Sequence, residues 1–395
     1  MQAVILGGGK GTRLAATGPK PLIEVGGKPF LTYLLADLRR FGIADIVILT
    51  GPFTDAYRAR LGDGSQLDLR LTYVPEPAPA GTGGALTYAA PDLDAEFLLL
   101  NGDSFFDINL LDLMTRNFAP GWLIGLALRE IDDVARYGAV GLAGDRVTSF
   151  GEKAVTGRGL INAGIYRLRR ELVAELGTPP VSLEQDVIPR LVAHGSVRGA
   201  VYRGRFIDIG VPDDLARAQA LMPSWERRPV AFLDRDGVLN RDHGYVHKRE
   251  DFEWLPGARE AVKRLNDTGH LVIVVSNQAG IARGLYAPAD VERLHCWINA
   301  ELAKAGAHID AFYYCPHHPT EGKGDYRRTC DCRKPAPGML LQAMRDWPVN
   351  AAASFMVGDK EIDMQAAAAA GVRGVRYSGG NLDAVIGEAL AGAGQ

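Results

Sequence analysis

Short apolar runs alternate with helical patterns along the whole chain. The strand-like runs are 3–6, 45–49, 96–100, 229–233, 270–276 and 354–358. Segments 29–42 and 257–269 have apolar residues at helical spacing and end near a glycine, and the alanine-rich segment 365–371 also predicts a helix. Continuous apolar strands between helices are typical of parallel sheets covered on both faces. The pattern therefore predicts an α/β fold.

The chain length predicts two domains. At 395 residues the chain is longer than one hydrophobic core usually supports. A charged stretch flanked by prolines, "LMPSWERRPV" at 221–230, is the best candidate boundary. We therefore predict domains at 1–222 and 229–395, joined by a linker at 223–228.

Composition and charge exclude several classes of protein. The content of 47% hydrophobic and 23% charged residues is typical of a globular protein, and the net charge of −3 gives no footprint for nucleic acid or a membrane surface. The sequence has no apolar run of membrane-spanning length and no signal peptide at its start, so we expect a cytoplasmic protein. It does not indicate an oligomeric state.

A glycine-rich loop, "LGGGKGTRL" at 6–14, follows the first strand-like run. It is not a P-loop, because Lys10 precedes Gly11 and Thr12, and it lacks the third glycine of a dinucleotide-binding loop. Glycines allow backbone N–H groups to approach phosphate closely. Arg13 and Lys20 add two cations directly behind the loop, which suits a nucleoside triphosphate.

The loop, "PKPL" at 19–22 and "GKPF" at 27–30 together resemble the sugar-1-phosphate nucleotidyltransferases, over roughly residues 1–220. The resemblance implies a Rossmann-like domain of the glycosyltransferase-A type, with small-molecule substrates. It implies catalytic roles for Arg13 and Lys20 and a Mg²⁺ site at Asp103 and Asp208. The implied nucleotide- and sugar-binding residues are Gly8, Gly9, Gly11, Thr12, Gly81, Thr82, Gly83, Glu152, Lys153 and Asn162.

The chemistry implied for this domain needs no protein nucleophile. A sugar 1-phosphate oxygen attacks the α-phosphorus of the triphosphate, and pyrophosphate leaves. Catalysis then rests on alignment and on neutralisation of phosphate charge. Two aspartates that leave room for phosphate oxygens and water suit Mg²⁺.

Four further motifs follow in order behind strand-like runs: "FLDRDGVLN" (232–240), "SNQAG" (276–280), "CRKP" (332–335) and "MVGDKEIDM" (356–364). Together they resemble the haloacid-dehalogenase-like phosphatases, which implies a Rossmann-like domain. The resemblance implies Asp234 as the nucleophile that forms an aspartyl phosphate and Asp236 as the general acid and base. Ser276 would hold phosphoryl oxygens, and Lys334 would balance their charge. Asp234, Asp236 and Asp359 would hold Mg²⁺, Asp236 through its backbone carbonyl.

Cysteine and histidine cluster between residues 315 and 332. Cys315, His317, Cys330 and Cys332 offer three thiolates and an imidazole, a donor set that suits tetrahedral structural Zn²⁺. His318 is an alternative to His317. Cys296 lies outside the cluster, and we expect it in the core on a helix.

The zinc loop narrows the resemblance to a small branch that dephosphorylates D-glycero-D-manno-heptose 1,7-bisphosphate at C7, or histidinol phosphate. The segment between residues 240 and 276 is too short for a large cap domain, so the zinc loop and 241–248 would shape the pocket. The predicted substrate-binding residues are Asp242, His243, Gly244, Tyr245, Asn277, Gln278, Arg333 and Lys360.

The two halves fit consecutive reactions. Removing the C7 phosphate of a heptose 1,7-bisphosphate leaves a heptose 1-phosphate, which a nucleotidyltransferase can use. We therefore expect a bifunctional enzyme of nucleotide-activated heptose synthesis, with GTP favoured by this pairing, although the sequence shows no guanine selectivity. One alternative joins a histidinol-phosphate phosphatase to a mannose- or glucose-1-phosphate nucleotidyltransferase. Another makes one domain a non-catalytic sugar-nucleotide sensor.

Overall fold

The computed structural model of the chain describes residues 1–9, 18–152 and 156–392, with the side chain of Glu152 excepted. Its contacts divide it into two units, Met1–Ser224 and Trp225–Gln395. The segment 223–228, predicted as a linker, begins as helix, because the helix Pro212–Glu226 runs through its first four residues. Arg228 already lies in the second unit, where its backbone N–H donates to the carbonyl of Pro348.

The first unit is built on one large sheet. Its strands are β1 Gln2–Leu6, β2 Glu24–Val25, β3 Lys28–Pro29, β4 Asp45–Gly51, β5 Arg70–Pro75, β6 Glu96–Asn101, β7 Ser104–Phe106, β8 Ile124–Ile131, β9 Ala139–Ala143, β10 Arg146–Glu152, β11 Gly159–Arg169, β12 Val197–Tyr202 and β13 Phe206–Asp208. Its helices are α1 Leu31–Arg40, α2 Thr54–Leu61, α3 Gly81–Ala89, α4 Leu110–Thr115, α5 Ile188–Ala193 and α6 Pro212–Glu226. The nine-stranded order is β5-β4-β1-β6-β11-β8-β12-β10-β9, and β2–β3 and β7–β13 form two small sheets.

The sheet of the first unit is mixed, so the prediction of parallel strands is only half right there. β1 pairs in parallel with β4 and β6, but β11 is antiparallel to both β6 and β8. β9 and β10 are also antiparallel, and only Gly144 and Asp145 connect them. A connection of that length cannot make the crossover that parallel strands require. Apolar runs reveal buried strands but not their direction.

The second unit has a five-stranded, wholly parallel sheet in the order β16-β15-β14-β17-β18. Its strands are β14 Val230–Leu233, β15 Leu271–Asn277, β16 Ala311–Cys315, β17 Phe355–Gly358 and β18 Arg373–Arg376. Its helices are α7 Ala258–Asp267, α8 Ala279–Arg283, α9 Pro288–Ala303, α10 Gly338–Asp346, α11 Glu361–Ala369 and α12 Leu382–Ala391. Here the prediction of a parallel sheet is confirmed.

Alternate residues of the central strand β14 face opposite helical layers of the second unit. Ala231 and Leu233 pack with α7, α9 and α12, whereas Val230 and Phe232 pack with α10 and α11. This two-sided burial explains why the strand is apolar at every position. The loop 234–257 between β14 and α7 contains one short 3₁₀ turn, Arg249–Asp251, so the expected absence of a large cap is confirmed.

The remaining predictions about the fold are confirmed except for one. All six predicted strands and all three predicted helices form, with bounds shifted by a few residues at most. Cys296 lies on α9 as expected, but it is exposed, so its assignment to the core is wrong. It falls on the face of α9 opposite the buried residues Leu294, Ile298 and Leu302. Among the described residues, no helix is both long and apolar enough to cross a membrane.

One buried histidine makes the second unit sensitive to acid. His295 on α9 stacks on the ring of Phe312, with centroids 4.2 Å apart, and its Nε2 has no hydrogen-bond partner among the described residues. Burial, helped by the charge of Arg235, lowers the pKa of His295 to about 3. The unfolded chain binds this proton below about pH 6.5, so the folded state loses stability as the pH falls from there toward 3.

We predict that replacing this histidine reduces the acid sensitivity. Between pH 7 and pH 5 the free energy of unfolding of wild-type protein should fall by about 2 kcal/mol more than that of His295→Phe. Urea unfolding of both proteins at both pH values measures the difference. Equal losses in the two proteins would contradict the buried neutral imidazole.

Candidate active sites

A cavity of about 650 Å³ opens in the first unit where the chain leaves β1 and β6. It is lined by six of the predicted site residues: Gly8, Gly9, Lys20, Gly81, Thr82 and Asp103. Three charged or polar side chains in its wall were missed by the sequence analysis: Glu76, Asn101 and Glu184. Gly11, Thr12, Arg13 and Lys153, and the side chain of Glu152, lie outside the described residues.

Lys20 and Asp103 line the cavity, and Asp208 lies beside them. The Nζ of Lys20 is 3.0 Å from Oδ2 of Asp103. β13 places Asp208 beside them by pairing with Ser104 of β7, and the backbone N–H of Ile209 donates to the carbonyl of Asp103. Burial, followed by the negative charge of Asp103, raises the pKa of Asp208. Two neighbouring aspartates, of which Asp208 is disfavoured in its charged form, are suited to share a cation.

A hydrogen-bond network holds Glu184 in the cavity wall. Its two carboxylate oxygens accept from the hydroxyls of Thr82, at 2.6 Å, and Tyr166, at 3.0 Å. Asn162, predicted to bind sugar, donates to the oxygen of Tyr166 at 2.7 Å and so belongs to this network rather than to the cavity lining. Burial raises the pKa of Tyr166 well above its ordinary value, which keeps its hydroxyl a donor.

Glycines bring two segments of backbone close to the cavity. An added Cβ at Gly8 would lie 2.9 Å from Oε1 of Glu76, so the absence of a side chain allows that carboxylate to approach. Burial raises the pKa of Glu76. Gly83, predicted to bind nucleotide, instead packs against the chain at Val181, whose carbonyl accepts its N–H at 3.0 Å. Its role is close packing of α3, because the helix turns that residue away from the cavity.

The second site is centred on a buried ammonium. The Nζ of Lys334 lies 2.8 Å from Oδ2 of Asp234 and 2.8 Å from Oδ1 of Asp363, and it donates to the carbonyl of Val275 at 2.9 Å. Asp234 follows β14, and burial raises its pKa to about 6 against the opposing effect of Lys334. Asp363 was missed; it lies in the first turn of α11, and Asp359 lies just before the start of that helix.

Asp359 completes a group of three carboxylates. One oxygen each from Asp234, Asp359 and Asp363 lies within 4.8 Å of the others. Burial raises the pKa of Asp359, and its Oδ1 is buried without a hydrogen-bond partner among the described residues. Gly237 is required next to it, because an added Cβ would collide with the carboxylate of Asp359.

Asp236 points away from this group. Its carboxylate accepts from the guanidinium of Arg235, from Nδ2 of Asn240 at 3.0 Å and from Nε2 of Gln278 at 2.9 Å. Arg235 is fully buried and was not predicted as a site residue. Ser276 lies at the end of β15, where its Oγ accepts from Nε2 of Gln278 at 2.7 Å.

The side chains of two residues predicted to bind substrate form hydrogen bonds with other protein groups instead. The side chain of Asn277 donates to the carbonyl of Lys334 at 3.0 Å and accepts its N–H at 3.1 Å. Gln278 is buried and uses both ends of its amide on protein groups. These two residues therefore hold other site residues in place.

The remaining predicted substrate-binding residues surround the mouth of the second site. Lys360 forms an ion pair with Asp242 at 3.0 Å, beside a cavity of about 470 Å³ that reaches Asp359. The predicted residues lining a neighbouring cavity of about 640 Å³ are His243, Gly244 and Tyr245. Arg333 donates to the carbonyl of His317, which ties it to the cysteine cluster.

The cysteine and histidine side chains converge as the spacing predicted. The sulfur atoms of Cys315, Cys330 and Cys332 lie 3.2–3.5 Å apart, and Nδ1 of His317 is 3.4 Å from Sγ of Cys332. His318 does not join them, because its Nδ1 accepts the backbone N–H of Glu321. The geometry thus distinguishes the two histidines where the sequence left them open.

Comparisons with known proteins match each of the two units to a family. Residues 2–224 match the family model described as nucleotidyl transferase, and residues 331–391 match one described as HAD-hydrolase-like. D-glycero-beta-D-manno-heptose-1,7-bisphosphate 7-phosphatase of Rhodopseudomonas palustris is 46% identical over 165 residues, which are 42% of this chain and 91% of that protein. The Pasteurella multocida protein of the same name is 50% identical over 146 residues, 37% of this chain and 79% of that one.

A solved structure resembles the first unit in size and fold. HddC from Yersinia pseudotuberculosis superposes with a TM-score of 0.50 at 30% identity, covering 55% of this chain and 97% of that one, and a second structure of it is complexed with GMP-PN. The family match over more than half of the chain and the high coverage of the phosphatase relatives lead to one conclusion. The chain belongs to the nucleotidyl transferase family in its first unit and to the HAD-like phosphatases in its second.

Proposed function

We propose that the second unit removes the C7 phosphate of D-glycero-D-manno-heptose 1,7-bisphosphate and that the first unit transfers GMP from GTP to the resulting heptose 1-phosphate. The observation on which this rests is the Asp234–Lys334–Asp363 cluster in a chain that also has a nucleotide-sized cavity. The relatives named 7-phosphatase support the first reaction, and the GMP-PN complex of HddC supports a guanine nucleotide in the second.

In the phosphatase reaction, a carboxylate oxygen of Asp234 attacks phosphorus and forms an aspartyl phosphate. Lys334 favours the ionised form of Asp234 and opposes the negative charge that gathers there. Asp236 gives a proton to the departing sugar oxygen and then activates the water that hydrolyses the intermediate. Arg333 and Lys360 at the mouth supply positive charge for the second phosphate of the substrate.

The carboxylates of both sites fit Mg²⁺. In the second unit the donors are hard oxygens, and the buried Oδ1 of Asp359 lacks a partner among the described residues. In the first unit, Asp103 and Asp208 would hold the ion next to Lys20. Bound there, Mg²⁺ would offset phosphate charge at each site.

In the transferase reaction, the sugar phosphate attacks the α-phosphorus of GTP and pyrophosphate departs. Lys20 faces the phosphates, with Arg13 proposed beside it from the sequence alone. Glu184 has both oxygens oriented by Thr82 and Tyr166, and its remaining lone pairs can accept sugar hydroxyls. A second phosphate on the sugar would be repelled by this carboxylate, so dephosphorylation comes first.

The position of Glu76 is our argument for guanine as the base of the nucleotide substrate. A carboxylate that does not hold a metal ion repels phosphate, so we place Glu76 at the base or the ribose. Guanine has two adjacent N–H donors on its Watson–Crick edge, and a carboxylate can accept both. Adenine, cytosine and uracil do not offer that pair. Glu76 is therefore the residue that we propose to select GTP.

The cysteine cluster fits structural Zn²⁺. A tetrahedral zinc with Zn–S bonds of about 2.3 Å separates its sulfurs by about 3.8 Å. The three sulfurs are 3.2–3.5 Å apart, close to that spacing, and His317 completes four donors. Bound zinc would hold the loop 315–332 and would contribute folding free energy to the second unit.

The first prediction for this function is that the two activities separate. Asp234→Asn should lower phosphate release from heptose 1,7-bisphosphate by about 1000-fold or more, because an amide is a poor nucleophile. It should leave pyrophosphate release from GTP and heptose 1-phosphate nearly unchanged. Lys20→Ala should have the opposite pattern, with transferase activity reduced about 100-fold. Loss of both activities in either folded variant would contradict two independent sites.

The second prediction concerns zinc. Wild-type protein should contain one zinc per chain by elemental analysis, and Cys330→Ser should lose it and unfold its second unit at lower temperature. Cys296→Ser is the matched control, because Cys296 is exposed and lies outside the cluster. Zinc-free wild-type protein with full phosphatase activity would disprove this assignment.

The third prediction concerns the base. Glu76→Gln keeps the size of the side chain but replaces one acceptor oxygen with a donor. We expect kcat/KM for GTP to fall about 100-fold while that for UTP or ATP does not fall. Glu130→Gln, at an exposed ion pair with Arg158, is the control. An unchanged preference for GTP in Glu76→Gln would rule out this role.

A further inference from the structure

Gln278 links two groups of the phosphatase site. It follows β15, and only 1% of the residue is exposed. Its Nε2 donates to Oδ2 of Asp236 at 2.9 Å and to Oγ of Ser276 at 2.7 Å. The residue is too buried to meet a sugar, yet it touches the group that must protonate the leaving oxygen.

The orientation of the Gln278 amide is fixed by a hydrogen bond from Tyr286. The hydroxyl of Tyr286 donates to Oε1 of Gln278 at 2.8 Å. The ring of Tyr286 is fixed in turn by His247, which stacks on it with centroids 4.5 Å apart, and by packing with Ile281 and Val291. A flipped amide would point its oxygen at Asp236 and its NH₂ at the Tyr286 hydroxyl. The network therefore favours the orientation in which Nε2 faces Asp236.

The partners of the Asp236 carboxylate come from two different segments of the chain. Asn240 donates to Oδ1, whereas Gln278 donates to Oδ2, and the guanidinium of Arg235 reaches both oxygens. Arg235 and Asn240 belong to the same loop as Asp236, so they move with it. Gln278 directly follows β15 and is the contact that ties the carboxylate to the end of that strand.

We propose that Gln278 is a positioning residue for Asp236 in leaving-group protonation, an inference that rests on the phosphatase half of the proposed function. In that step the bond from Asp234 oxygen to phosphorus forms as the bond from phosphorus to the substrate oxygen breaks. The proton of Asp236 passes to that oxygen, which leaves as an alcohol. Without the contact from Nε2, the carboxyl group is no longer held at the position from which it protonates the leaving oxygen.

Leaving groups of different basicity separate this role from a structural one. p-Nitrophenyl phosphate releases a stable anion and needs little protonation, whereas phenyl phosphate and a sugar phosphate release strongly basic oxygens. The value of kcat/KM reports the steps up to departure of the alcohol, so it isolates the protonation step. A defect in phosphate binding or folding lowers kcat/KM for all three substrates alike.

The experiment measures kcat/KM of full-length wild type and Gln278→Met with p-nitrophenyl phosphate, phenyl phosphate and heptose 1,7-bisphosphate. We expect the variant to lose at least about 10-fold more with phenyl phosphate and the bisphosphate than with p-nitrophenyl phosphate. Gln342→Met, at an exposed glutamine on α10, is the neutral control. Equal losses in Gln278→Met, or none, would overturn the proposal.

A second variant covers the case in which Gln278→Met does not fold. Tyr286→Phe keeps the ring and its stacking and removes only the hydroxyl that orients the amide. It should show the same dependence on the leaving group, several-fold in size, and an equal loss or no loss would overturn the proposal. If wild type cleaves both aryl phosphates but not the heptose bisphosphate, the proposed substrate fails while the test of Gln278 stands.

Discussion

The phosphatase site depends on one buried ion cluster. Lys334 is 1% exposed and bridges Asp234 and Asp363, which are themselves almost fully buried. Removing one partner from a buried ionic cluster costs about 3–5 kcal/mol, because it leaves the others uncompensated. Without the ammonium, two carboxylates would face each other in an interior of low dielectric. Asp234, Lys334 and Asp363 therefore depend on one another for the stability of their buried charges.

The position of Lys334 is itself fixed by the loop that contains the cysteines. Cys332 lies two residues before it, and Asn277 holds the backbone of Lys334 through two hydrogen bonds. Arg333, between them, donates to the backbone of His317. A zinc ion bound at the proposed site would therefore help to hold this loop against the end of β15. This arrangement can replace a cap domain as the wall of a small pocket.

The first unit handles phosphate by a different route. Its ion pair of Lys20 and Asp103 is partly exposed, with 20% and 27% of the side chains accessible, and it lies in an open cavity. Transfer of a nucleotidyl group needs alignment and charge neutralisation but no protein nucleophile. A site without a buried nucleophile has no need of a buried counter-ion. The contrast between the two units follows from their chemistry.

In both units, site residues follow the carboxyl ends of strands. Gly8 and Gly9 follow β1, Asp103 follows β6, and Asp234 follows β14. Carboxyl ends of neighbouring parallel strands meet at one edge of a sheet, so residues far apart in sequence come together there. In the first unit β1 and β6 are parallel neighbours even though the whole sheet is mixed.

The sequence by itself determined the features that depend on short-range pattern. Apolar runs located the strands, and short motifs located Lys20, Asp103, Asp234 and Lys334. Asp103 and Asp234 could be placed because they follow the strands β6 and β14 directly or within two residues. Only the tertiary structure decided strand direction, the positions of Glu76, Glu184 and Asp363, the choice of His317 and the burial of Gln278. These depend on what another segment of the chain brings to within hydrogen-bond distance. No local pattern of residues records that contact.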